Sequence, residues 1–235
     1  MISIRKLNKR FGKVKVLKDL DLEITGGGIF SIVGPNGSGK TTLIKSLLGM
    51  VIPDKGMICL NDRNISNKWE YRNDINYLAQ IANFPPNLRV KELIKMIKDL
   101  RKKDTNEQKL IDLFRLDSLL NKKLGHLSGG SRQKVNIVLT FMFDSSLIIL
   151  DEPTAGLDPI SLIQLKKIIA EEKNKGKTIL ISTHIMSLVE EISDEIIFLL
   201  DGRIYFKGSL KKLKQETLEN NIENAIANLL TSAND

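Results

Sequence analysis

One short run constrains this chain more than any other: Gly34-Pro35-Asn36-Gly37-Ser38-Gly39-Lys40-Thr41, which fits the pattern G-x-x-x-x-G-K-[ST]. The pattern has a physical use only between a strand and a helix. There the glycines let successive backbone N–H groups converge, and the helix start adds roughly half a positive charge. Both flanks are present. Ile29 to Val33 is continuously apolar apart from Ser31, and Leu43, Ile44, Leu47 and Leu48 recur at helical spacing before Gly49, which is suited to cap a helix. A loop so placed binds phosphate: Lys40 brings a full charge to the β and γ phosphates of a nucleotide, and the Thr41 hydroxyl is a ligand for Mg2+. A glycine-rich turn that binds nothing is the bland alternative, and the flanking strand and helix weigh against it.

Around this loop, short β-type runs alternate with helical patterns, which indicates an α/β domain with a mixed central sheet. Ile2 to Leu7 and Val14 to Ile24 read as an antiparallel ribbon, and Gly26-Gly27-Gly28 turns the chain into the strand at Ile29. Pro53-Asp54-Lys55-Gly56 is a turn before the strand Met57 to Leu60. From about Ile81 to Ser146 the pattern is helical and basic. Val90, Leu93, Ile94, Ile97 and Leu100 mark one helix, and Thr105 with Gln108 predicts a capping box for the next. The many Lys and Arg residues here, Arg101 among them, read as a solvated face. Strands return at Leu147 to Leu150, Thr178 to Ile181 and Glu195 to Leu200, and Asp201-Gly202 turns tightly into Arg203 to Phe206. Leu210 to Leu230, with Leu218, Ile222, Ile226 and Leu229, predicts an amphipathic helix.

A phosphate loop needs acid opposite it. Leu147-Ile148-Ile149-Leu150-Asp151-Glu152 is a continuously apolar strand, as central parallel strands are, ending in two carboxylates. Asp151 is placed to hold Mg2+, commonly through water, and Glu152 is free to act as general base on an attacking water. A third feature is Leu127-Ser128-Gly129-Gly130-Ser131-Arg132-Gln133, which opens a helix carrying Val135, Val138, Leu139 and Met142. Ser128 is a candidate N-cap, and Gly129 and Gly130 leave backbone N–H groups bare at the helix's positive end, a second anion site in one chain.

With that stretch the sequence resembles, over nearly its whole length, the nucleotide-binding subunits of ATP-binding cassette (ABC) transporters, whose signature is LSGGQ. The resemblance implies a P-loop ATPase of the ABC type, with an antiparallel β subdomain and an inserted helical subdomain in one domain spanning 1–235. Residues 1–80 and 147–210 then form the catalytic core, 81–146 the helical insert and 211–235 a helical tail. ATP and Mg2+ are the implied ligands, with Thr42 joining Gly34 to Thr41 in holding nucleotide. By the same resemblance Phe11 matches the aromatic that stacks on adenine, although a lone Phe in a ribbon is as readily packing. Gln80 matches the glutamine that senses Mg2+ and the nucleophilic water, Ala155-Gly156-Leu157-Asp158 the D-loop, and His184 the switch histidine at the γ phosphate. His184 taken alone reads as a surface histidine; its order among the other motifs reverses that. His126 gains no role. Ser131, Lys134 and Ala155 depart from the Gln, Arg and Ser frequent in relatives, yet every catalytic side-chain type is kept, so active hydrolysis is expected.

In such subunits two copies pack head to tail, and each ATP lies between one copy's phosphate loop and the other's Ser128 and Gly130. The implied partners are therefore a second ATPase subunit and an integral membrane permease docking near Gln80 to Pro86 and the helical insert. The stretch from Leu127 to Ile160 looks most like ATPases that pair with ABC-2-type permeases and is similar to the ATPase of nitrous oxide reductase maturation. The chain's net charge of +8 suits anionic partners without choosing among them. Relatives acting on nucleic acid or the ribosome carry a coiled-coil insertion or a second cassette, features this chain lacks, so a transport subunit is favoured and no nucleic acid is expected; a non-transport ABC ATPase acting on nucleic acid or a protein complex stays as the alternative, through the +8 charge alone. No apolar run approaches the roughly 18 residues of a spanning helix and no secretory signal is visible, so the expected place is cytoplasmic, peripheral on the inner face of the membrane.

Overall fold

The computed structural model describes residues 1–232 and contains two sheets. The smaller one follows from alternating burial in β1 (Ile2–Phe11) and β2 (Val14–Ile24), which pair antiparallel and are extended by β4 (Lys55–Leu60) and β5 (Arg63–Asn64) in the order β2-β1-β4-β5. The larger sheet holds β3 (Gly28–Val33), β6 (Ile75–Leu78), β7 (Leu147–Asp151), β8 (Thr178–Ser182), β9 (Glu195–Leu200) and β10 (Arg203–Gly208), in the order β10-β9-β3-β8-β7-β6. All its neighbours run parallel except the β9–β10 hairpin, so the sheet is mixed as expected.

Continuous apolarity in β7 and β8 reflects burial on both faces. Ile148, Leu150, Ile179 and Ile181 face one core, shared with α2 (Val90–Arg101), α3 (Glu107–Leu113), α4 (Gly129–Phe141) and α5 (Pro159–Asn174). Leu147, Ile149 and Leu180 face the other, shared with α1 (Lys40–Leu47) and the small sheet. A third cluster joins Phe198 to α6 (Met186–Ile192), α7 (Leu210–Thr217) and α8 (Ile222–Ser232).

Several local expectations are corrected. The Thr105–Gln108 capping box does not form: α3 starts at Glu107, the Thr105 hydroxyl bonds to the Glu107 carboxylate, and Gln108 bonds to Asp112. Leu100 continues the α2 stripe in sequence but is 72% exposed. Arg101 is not a solvated charge. It is half-buried at the end of α2, donating to Asn76 Oδ1 and Ile75 O at 2.7 and 2.8 Å and lying 4.8 Å from the Phe143 ring centre. Burial pushes its guanidinium down from its ordinary value. The tail is two helices, because Leu218 adopts φ +57° and is 91% exposed at the break. The last three positions of that tail, 233–235, lie outside the described residues.

Candidate functional site

Four functional segments share one edge of the large sheet because each follows the C-terminal end of a parallel strand, where α/β proteins open a crevice. The register makes this concrete: Ile32 pairs with Ser182, Ser182 with Asp151, and Leu78 with Leu150. The phosphate loop therefore follows β3, His184 follows β8, Glu152 follows β7 and Gln80 follows β6, in adjacent rows.

The phosphate loop is shaped by crowding. A Cβ at Gly34 would lie 2.0 Å from Leu199 O, so only glycine passes there. Gly202, in the turn between β9 and β10, supports the loop from below: its N–H donates to Ser38 O at 3.0 Å, and its carbonyl accepts the Lys18 N–H at 2.9 Å. Lys40 is buried and donates its ammonium to Gly34 O at 2.7 Å and Pro35 O at 3.0 Å. Burial pushes its pKa down, while Glu152 and Asp151 pull it back up. Ser38 Oγ is buried with no hydrogen-bond partner, an orphan that a phosphate oxygen would satisfy. Gly49 stands one residue beyond the Leu48 cap of α1, in the left-handed conformation that ends a helix.

Asp151, 2% exposed, accepts the Ser182 hydroxyl at the end of the neighbouring strand. Burial raises its carboxyl above the ordinary range, with the Ser182 bond opposing. Glu152 sits at φ +49°, in the left-handed region that disfavours side chains, and its N–H is held by Ser182 O at 3.0 Å. Its carboxylate is not free, as the sequence suggested, but lies 2.9 to 3.0 Å from His184 Nδ1.

Gln80 lies exposed just past β6, next to Ala79, whose carbonyl is held by Asn136 of α4 at 3.0 Å. Phe11, at the tip of β1, is 51% exposed, with Lys9 Nζ 5.3 Å from its ring centre, so it is an available stacking face. Thr41 and Thr42 are half-buried in the first turn of α1. Ser128 caps α4 as expected, accepting the Ser131 N–H at 3.2 Å. Gly129 faces open space, with nothing within 4 Å of a Cβ built there. Asp158 turns toward its own chain. It caps α5 through Ser161 N at 2.8 Å and pairs with Lys134 at 2.7 Å, which together hold its carboxyl well below the usual range.

Sequence reasoning missed Ser182 as the partner of Asp151, the Lys134–Asp158 pair and the grip of α4 on its surroundings. One signal for the last was present. Gln133, Asn136 and Thr140 recur at helical spacing on an otherwise buried helix, and they bond to Pro153 O, Ala79 O and Tyr77 O.

The donors suit a hard cation: a hydroxyl from Thr41, a carboxylate from Asp151 and an amide from Gln80. Among the described residues no three His, Cys, Asp or Glu side chains converge on a metal position.

The sequence matches the family described as ABC transporter over residues 17–155. It is 34% identical over 208 residues to the lantibiotic transport ATP-binding protein SrtF of Streptococcus pyogenes, covering 87% of this chain and 89% of that one. A solved structure of an ATP-binding subunit of an ABC transporter superposes with a TM-score of 0.91 at 29% identity, over 98% of this chain and 99% of that one. The dimeric post-hydrolysis structure of the cassette MJ0796 bound to ADP and Pi shares the fold, with a TM-score of 0.79 at 24% identity, over 89% of this chain and 99% of that one. The phosphate loop, the acidic strand end and these likenesses agree: the chain belongs to the ABC transporter family, as an ATP-binding subunit that hydrolyses ATP to drive transport.

Proposed function

We propose that two copies of this chain close head to tail around two ATP·Mg2+. Gly34 to Thr42 of one copy hold each nucleotide's phosphates, with Phe11 against adenine, and Ser128, Gly129 and Gly130 of the other copy cover the γ phosphate. The exposure of the signature turn carries this reading: a capped helix start with open space at Gly129 presents bare N–H groups outward, where a second chain can bring an anion. Asp151, Thr41 and Gln80 are the Mg2+ donors, and the ion, when bound, neutralises charge on the phosphates. Glu152 takes the proton of the attacking water, and His184, already on Glu152, orients it and reaches the γ phosphate. Asp158 closes the D-loop on its own chain, with its carboxylate on Ser161 N–H and Lys134.

Shifting an open-closed equilibrium from 1:99 to 99:1 requires about 5.5 kcal/mol of preference for the closed state. Charge-assisted hydrogen bonds contribute roughly 1.5 to 3 kcal/mol each, so a few per site suffice. Loss of the γ phosphate removes what both faces share and opens the pair.

The chain works as one ABC ATPase domain over 1–235, with 1–80 and 147–210 as core, 81–146 as helical insert and 211–235 as tail. It sits peripherally on the cytoplasmic face of a membrane, against a permease that docks near Gln80 to Pro86 and the insert. One fact supports such a partner: Ile81 stands 72% exposed in the segment named for docking. An ABC-2-type permease is the partner class favoured by the Leu127 to Ile160 stretch, with nitrous oxide reductase maturation as the nearest analogy.

Glu152→Gln is the test. Turnover is expected to fall at least about a hundredfold, the lower range for losing a general base, while ATP binding persists. In light scattering with ATP and Mg2+ the variant is expected at about twice the 26.4 kDa chain mass. Single subunits only, at saturating nucleotide, would remove the head-to-tail reading.

A further inference from the structure

The start of α4 and the loop from Glu152 to Asp158 are fastened at three points. Gln133, 6% exposed, donates Nε2 to Pro153 O at 2.9 Å, on the residue immediately after Glu152. In the middle of the loop, Gly130 and Gly156 approach so closely that a Cβ on Gly130 would sit 2.6 Å from Gly156 O. At the far end the Lys134 ammonium lies 2.7 Å from Asp158 Oδ2, while Asp158 Oδ1 takes the Ser161 N–H. Glu152, in its disfavoured left-handed conformation, is thereby held between β8 on one side and α4 on the other.

We propose that Lys134 is a positioning residue for hydrolysis: by pinning Asp158 to α4, it makes the signature turn and the loop carrying Glu152 one body. A nucleotide engaged by a copy's signature turn then sets the Glu152 of that same copy, which serves the other nucleotide of the pair. The inference rests on the head-to-tail reading above. A purely structural role is a poor alternative for this pair. Both side chains are partly exposed, and exposed ion pairs contribute little to folding.

The test uses the purified full chain. Lys134→Ala is expected to lower kcat about tenfold or more through misplacement of Glu152, with the ATP concentration at half-maximal rate changed less than about threefold. The thermal midpoint should move by no more than about 4 °C, the size of a surface-pair effect in a chain this long. Lys134→Arg restores the pair and should return kcat to within about twofold of the unmodified chain. A Lys134→Ala kcat within about twofold of the original overturns the proposal, as does an arginine variant as slow as the alanine one. If Lys134→Ala does not fold, Asp158→Asn keeps an oxygen for Ser161 but loses the charge. The same fall in kcat is then expected, and an unchanged kcat overturns the proposal.

ATP-driven pairing is measured in parallel, in Glu152→Gln with and without Lys134→Ala. Pairing in both, alongside a slowed Lys134→Ala enzyme, supports the positioning role. Pairing lost with Lys134→Ala in proportion to turnover shows that Lys134 acts on assembly and overturns it. If Glu152→Gln alone stays single, the head-to-tail reading falls and takes this inference with it.

Discussion

Asp151 shows how a candidate site residue costs the fold something. Its raised carboxyl means that the folded chain binds more protons than the unfolded chain between the ordinary carboxylate range and the higher folded value. Stability therefore falls as pH rises through that window, and at neutral pH the buried negative charge is a net burden until a cation joins it. Asp151→Asn keeps an oxygen for the Ser182 hydroxyl and removes the burden. Its thermal midpoint without nucleotide is expected to rise by about 2–4 °C, the shift about 1 kcal/mol gives in a chain of this size, while Mg2+-dependent turnover is lost. A lowered midpoint in a calorimetric scan would contradict this. The places of Lys40 at a helix start and of Asp151 and Glu152 at a strand end were legible in the sequence because each is fixed by a local pattern of strand, turn and helix. Ser182 and the Lys134–Asp158 pair were not, since their meaning depends on which strands and loops lie side by side, and no short-range pattern records that.

Among the elements, α4 does the most varied work. Its apolar side, with Val135, Ile137, Val138 and Phe141, belongs to the core, while Gln133, Asn136 and Thr140 hold the carbonyls at the ends of β7 and β6. Asn136→Leu leaves Ala79 O without its partner beside Gln80. It is expected to cost about 1–3 kcal/mol in urea unfolding, the penalty for an unsatisfied buried acceptor. An unchanged midpoint and slope would show that water replaces the amide. The strands read in the large sheet match to within two residues because burial on both faces leaves long apolar runs, whereas β1 runs four residues past Leu7 and β5 left no pattern to read. The tail does not match. Leu218 fits the helical stripe on paper but sits at the break between α7 and α8, where packing of Ile222 and Ala225 onto Phe198 outweighs local periodicity.

At the scale of the molecule, the site is an edge between layers, so ligand and fold are linked. Any ligand that binds only the folded chain adds about 2.7 kcal/mol at a hundred times its Kd. ATP with Mg2+ at that excess is therefore expected to raise the thermal midpoint by about 5–11 °C. Lys40→Ala should abolish most of that shift, and a shift equal to that of the unmodified chain would remove Lys40 from the phosphate site. The mixed sheet and antiparallel subdomain were legible from the alternation of patterns. The stacking of two cores on the large sheet became visible only in three dimensions, where Ile148 and Ile149, neighbours in sequence, serve opposite sides.

The turn at Gly202 ties these scales together. It touches Ser38 and Lys18 at once, and a Cβ there would sit 2.2 Å from Val16 O. A bulkier residue would tilt the cradle and the ribbon that bears Phe11 together, although the turn itself reaches no ligand. Variants sorted only by failure to retain nucleotide would return this distant hairpin among the contact residues, and its silence toward ligand chemistry would mark it as foundation instead.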